Sequence, residues 1–429
     1  MCRRLLVLVL PLILFACSEA SPFKPAPMKE DASAAGEFDW PQWRGPDRTH
    51  INKETGLLKD WPKDGPKLVW KADDMGNGYS TPSIAAGRVF LMGNRNKKEY
   101  VLAVGEKTGE KLWETEVGAV RAGGGGYPGP RCTPTVDGSV LYALGLNGDL
   151  LCINVNDGSV VWRKDLAKDF KGRVGGWGYS ESPLVDGDKL IATPGGSEAP
   201  IVALNKKSGE VIWKSKIPGN DGAHYASAIA TEIDGVRQYV QFMAGGVVAV
   251  AADTGKFLWR YDRPHNGTAN CSTVIASDGH VFAASSYGTG GGLVKVSKSG
   301  DSFGAEEVFF TRKMKNHHGG MVLLDGHVYG SDEGLLTCLE FKTGEIKWQE
   351  RIPGKGSIAF ADGRLYYRNE SGSGTVYLVE VNPAKFVLHG KFDQPNRSGA
   401  NSWPHPVIAN GRLYLRDQGV LLCYDVKSK

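Results

Sequence analysis

The chain has 429 residues, of which 41% are hydrophobic and 23% charged, with a formal net charge of +4. Two of the positive residues, Arg3 and Arg4, lie in a leader expected to be removed, so bulk charge makes no case for nucleic acid or an anionic membrane surface. Its 57 glycines are about twice ordinary usage and imply many turns, and its length suits one domain only if that domain is built of repeats.

Residues 1–16 read as an export signal: Arg3 and Arg4, then an apolar run from Leu5 to Phe15 that is too short to span a bilayer. Leu14-Phe15-Ala16-Cys17 resembles the lipobox of bacterial lipoproteins, which implies a lipid on Cys17. Ser18 behind it, by the enteric sorting rule, implies the periplasmic face of the outer membrane; with plain cleavage the chain would be periplasmic or secreted. Residues 17–37 are rich in Pro, Ala, Ser, Lys and Glu and read as a flexible tether. The next segment, Asp39 to Pro66, contains Trp40-Pro41-Gln42-Trp43-Arg44-Gly45-Pro46 and is expected over one rim or the flank of the following domain.

From Lys107 onward one pattern recurs. A turn glycine is followed four residues later by tryptophan: Gly109 and Trp113, Gly158 and Trp162, Gly209 and Trp213, Gly255 and Trp259, Gly344 and Trp348. Glycine supplies the positive φ of a tight turn, and the tryptophan packs on one fixed face of the strand behind it. Around each turn lie four short strands, and a period of about 40 to 50 residues selects a propeller over a sandwich. Units start at Thr81, Cys132, Ser182, Ser227, Cys271, Gly320, Ser357 and Pro406. The fifth ends at Phe310 after a degenerate Ser299-Gly300 turn, and the seventh ends at Phe392 with Asn382-Pro383 in place of the glycine turn. The eighth has three strands, and Lys67-Leu68-Val69-Trp70 matches the missing outer strand. Residues 38–429 are therefore expected to form an all-β, eight-bladed propeller whose last blade is closed by an N-terminal strand.

The repeated turn and tryptophan resemble the tryptophan-docking repeats of the pyrroloquinoline quinone (PQQ) propeller superfamily over residues 67–429. Two branches are similar: the quinoprotein alcohol dehydrogenases, and the lipoprotein propeller of the outer-membrane β-barrel assembly machine, which binds no quinone. The stretch Asp39 to Pro46 also resembles the start of PQQ-like propellers abundant in planctomycete-type bacteria. The first branch implies PQQ, a calcium ion held by carboxylate and amide oxygens, a catalytic aspartate and a vicinal cysteine pair. Glu181 and Asn270 (or Asn266) could supply the calcium oxygens. The sequence has no Cys-Cys dipeptide, no CxxCH, and no carboxylate in Thr311 to Gly320, where the aspartate is expected.

The segments joining one blade's outer strand to the next blade's inner strand should cross one face near the central channel. They offer Tyr79, Arg131, Trp177, Glu181, His224, Asn270, His317, His318, Trp403 and His405 as ligand-binding candidates, with no catalytic or metal residue assigned. Long solvated loops also collect Gly, His and Asn without binding anything. His317 and His318, if on a strand, would point to opposite faces and could not chelate one ion together. Cys152, Cys338 and Cys423 repeat one core position, while Cys132 and Cys271 could face the channel. The expectation is an exported binding or scaffold protein of the cell envelope, with an envelope protein or small ligand at the channel mouth, contact with the membrane only through its lipid, and a monomeric state. The alternative is a quinoprotein-like oxidoreductase of alcohols or sugars using PQQ and calcium. A carbohydrate-binding module with Trp177, Tyr79 and Trp403 as platforms is a third reading.

Overall fold

The computed structural model describes residues 36–121, 126–219, 221–352 and 354–428. The export signal, Cys17 and nearly all of the expected tether lie outside the described residues. Eight antiparallel four-stranded meanders surround a central channel. In chain order they span 83–119, 135–165, 184–214, 229–261, 275–311, 321–351 and 356–392, and the eighth joins 407–425 to Lys67–Ala72 as its outer strand. Each blade runs from channel to rim, so the turns between its second and third strands emerge on the same face as the blade-to-blade connections.

The glycine and tryptophan of the repeat meet across blade boundaries. A methyl group on Gly109 would lie 2.7 Å from the Trp70 ring, and Gly158, Gly209 and Gly255 stand in the same way against Trp113, Trp162 and Trp213. Each of these glycines has a positive φ of 70 to 73°. The indole Nε1 of Trp70, Trp113, Trp162 and Trp213 donates to Glu106, Val155, Lys206 and Ala252 carbonyls in the following blade. Spacing is fixed because turn, ring face and indole donor form one joint, repeated at four boundaries, while the Trp259 indole turns back to Gln238 of its own blade. Trp70 makes this joint with the first blade, which closes the ring.

Two blades modify it. In the fifth, Phe309 rather than Phe310 takes the docking position, since Leu293 pairs with Phe309 and the Gly344 turn packs on that ring. The bulge in the outer strand sets this register, and a one-residue shift reverses the face. In the seventh, Gly390 occupies the tryptophan position and Trp61 fills it from outside. The Trp61 ring centroid is 5.8 Å from Tyr366, as Trp113 is 5.9 Å from Phe90 and Trp348 6.0 Å from Tyr329. The N-terminal segment thus completes two blades.

That segment, expected over one rim or the flank, first enters the channel. Trp40 bridges to Ile84, Ile51–Asn52 adds a parallel strand to the inner edge of the seventh blade, and the stretch between them crosses the channel. Only from Leu57 onward, bonded through Leu58 to Val426 and through Trp61 to His389, does it run along the flank. The reason is hydrogen bonding. The inner strands are three to six residues long and leave carbonyls facing the channel, and a buried carbonyl needs a donor. Arg48 donates to the Ser182, Pro183 and Ala228 carbonyls, and Arg44 to those of Val274 and Met321. Arg44, Arg48 and His50 adopt φ of 64, 55 and 65°, strain these bonds hold in place.

Cys152, Cys338 and Cys423 are buried and pair in register with the docking tryptophans Trp162, Trp348 and Trp70. Cys132 is buried away from the channel, its sulfur accepting from Leu144 N. The described cysteines are unbridged.

Candidate functional site: a cavity at the channel mouth

Above the plug the channel opens into a cavity of about 330 Å³. Its floor is Trp43, whose indole donates to Thr273 Oγ1 at 3.0 Å. The inner strands that form the walls are stitched side to side: Thr133 N donates to Ser182 Oγ, Ser182 N to Ser227 Oγ, and His405 N to Thr81 Oγ1. A rigid ring of short strands therefore positions the loop side chains above it.

Seven of the ten candidates line this cavity: Tyr79, Arg131, Trp177, His317, His318, Trp403 and His405. Trp403 packs against Tyr79, His318 and Tyr127 with centroids 4.3, 4.7 and 4.9 Å away. Trp177 meets Tyr225 edge-on at 5.6 Å. His317 and His318 stack at 3.8 Å on the same side, because Lys313–His318 is an irregular bend and not the strand assumed from sequence. No cluster of three potential metal ligands occurs among the described residues.

Three candidates lie outside the lining. Glu181 is buried beneath it, with its two oxygens accepting from Thr193 N and Thr193 Oγ1. His224 stacks on Tyr225 and accepts from Asn270 N. Asn270 donates to the Met243 and Ala244 carbonyls and accepts from Asn266 N. The oxygens of Glu181, Asn270 and Asn266 are thus already engaged by protein donors, Asn266 Oδ1 by Thr268 N and Ala269 N.

Burial governs the charges. It pushes the Glu181 carboxyl up to about 7 and raises that of Glu370, which lines the cavity. It holds His317 and His405 down to about 3 and His318 well below its ordinary value, so the imidazoles are neutral. A chain of bonds fixes two tautomers. The Arg44 Nε donates to His50 Nδ1 at 3.0 Å, and a guanidinium can only donate. His50 then carries its proton on Nε2 and gives it to His405 Nδ1 at 2.6 Å; His405 Nε2 donates to the His318 carbonyl, also at 2.6 Å. The plug is thereby tied to the loop that bears the stacked histidines.

Sequence reasoning missed Trp43, Tyr127, Tyr225, Tyr287, Lys355 and Glu370, while Cys271, expected to face the channel, lines the cavity. Tyr287 and Glu370 stand in turns between second and third strands, which reach the same face as the blade connections. Alternation of strand direction was the available signal.

A family model described as "Outer membrane protein assembly factor BamB" matches residues 97–350. The chain belongs to this family. A relative so named from Kangiella koreensis is 27% identical over 211 residues, 49% of this chain and 49% of that protein, so the match spans about half of the relative's length. Among solved structures, BamB from Moraxella catarrhalis superposes with a TM-score of 0.59 at 17% identity, over 84% of this chain and 98% of that one. Quinohemoprotein alcohol dehydrogenase from Comamonas testosteroni gives 0.65 at 12% identity, over 91% and 81%. At these identities the two structures speak for the shared propeller and not for a shared activity.

Proposed function

We propose that this chain is a binding protein of the cell envelope that works without a bound cofactor, and that the cavity at its channel mouth is the binding site. The observation that carries this reading is a preformed cavity of about 330 Å³, walled by aromatic rings and closed below by the chain's own segment. Family membership supports a place beside the outer membrane, with Cys17 as the lipid anchor, residues 17–37 as the tether and an envelope protein as partner of a monomeric propeller.

The test is in living cells. A photo-crosslinking residue at Tyr127 or Tyr287, which are 38% and 50% exposed at the cavity rim, should capture a discrete envelope component, while the same residue at Leu112 on the outer strand should not. Oxidation of an alcohol or sugar by the purified chain, given PQQ, calcium and an artificial electron acceptor, would overturn the reading. Cys17→Ser should move the protein from the membrane to the soluble fraction.

A further inference from the structure

We propose that the channel-mouth cavity takes a small aromatic carboxylate, its ring against the aromatic walls and its charge directed to Arg131 and Lys355. The inference rests on the reading of the cavity as the binding site and adds the chemistry of the occupant.

The first observation is a charge imbalance. Arg131 and Lys355 both line the cavity, and neither has a carboxylate within ion-pair distance among the described residues. Arg131 donates to the Gly129, Trp177 and Tyr127 carbonyls, and the Lys355 Nζ lies 3.2 Å from His317 Nδ1. The single acid of the lining, Glu370, faces His318 at 3.3 Å. Both cations are half-buried and feel Glu370 and Glu99 only from beyond ion-pair distance, so an incoming carboxylate in direct contact adds charge-assisted hydrogen bonds that they do not yet have.

The second observation concerns the rings. An aromatic box ordinarily favours a cation. Here two of the rings already have theirs: Arg131 stands 5.5 Å over Tyr79, and Lys355 5.9 Å from the Tyr287 centroid. A third cation would be repelled, whereas a flat apolar body can stack or pack edge-on against Trp177 and Tyr225. An anion on a planar body satisfies both halves of the lining.

The test is calorimetric titration of the full chain with 2-naphthoate and with its neutral isostere, 2-naphthamide. Naphthoate should bind about ten-fold or more tightly than the amide, with the margin shrinking as salt is added. Lys355→Met should cut the margin of naphthoate over the amide, Arg131 keeping part of it, while leaving the thermal midpoint unchanged; an undiminished margin would overturn the role of Lys355. Equal affinity for the two compounds would overturn the carboxylate assignment and leave the cavity reading standing. Binding of neither would overturn both.

Discussion

The lower and upper halves of the central channel are walled by the same inner strands and filled in opposite ways. Below, Arg44 and Arg48 are buried and spend their donors on strand carbonyls, so the charge is solvated by the protein itself. Above, Arg131 and Lys355 border a cavity among aromatic rings. The difference teaches that a cation is structural when backbone oxygens take its donors, as they do for Arg44, Arg48 and in part Arg131, and available when, like the half-buried Lys355, its ammonium bonds no carbonyl. Burial lowers Arg44 to about 9 and Arg48 to about 10, yet both stay protonated at neutral pH because carbonyl dipoles replace water.

Four measurements would break or sharpen that contrast. The largest effect belongs to the plug. Arg48→Met strands the Ser182, Pro183 and Ala228 carbonyls, and denaturant unfolding should show a loss of about 3 to 5 kcal/mol; a loss below about 1 kcal/mol would show the plug to be ornamental. Gly320→Ala comes next. Its φ is +74° and a methyl there would lie 2.4 Å from the His50 ring, at the junction of the two halves, so a cost of about 2 kcal/mol is expected by the same assay.

The third is a pH effect in the upper half. His317 is held down to about 3 by burial and then by the Lys355 charge, while an unfolded imidazole titrates near about 6.5. Between those values the unfolded chain binds a proton that the fold refuses, so this histidine costs stability as pH falls. His317→Asn should therefore gain on wild type by about 1.4 kcal/mol per pH unit below about pH 6, read from thermal midpoints across pH; parallel curves would contradict the assignment. The smallest effect is that of Lys355→Met, whose stability should stay within about 0.5 kcal/mol of wild type, since its ammonium holds no strand carbonyl. A loss comparable with that of Arg48→Met would erase the distinction between the two halves.

Much of the fold was legible because its joint is local. Gly109, Gly158, Gly209 and Gly255 meet the same ring in the same way, so one spacing repeats and exposes the architecture. The closing strand at Lys67–Ala72 was legible for the same reason. Trp61 was not, because it repairs Gly390 from more than three hundred residues away and carries no repeat context. Of the candidate site, Tyr79, Arg131, Trp177, His317, His318, Trp403 and His405 could be read from the blade connections, and they line the cavity. Glu181 and Asn270 sit in the same connections but turn into the blades, where Thr193 and the Met243 carbonyl claim their polar atoms.

The sequence by itself determined the eight-bladed ring, the positions of its docking tryptophans and the face on which the loops gather, because turn geometry and strand periodicity depend on neighbours along the chain. Only the tertiary structure decided that Trp40 to Asn52 fills the channel, that His50 is tied to His405, and that Tyr287, Lys355 and Glu370 complete the cavity. The physical reason is the nature of the partners. Arg44 and Arg48 bind backbone carbonyls, which every residue possesses and no sequence pattern marks, so only closure of the ring brings the right ones together.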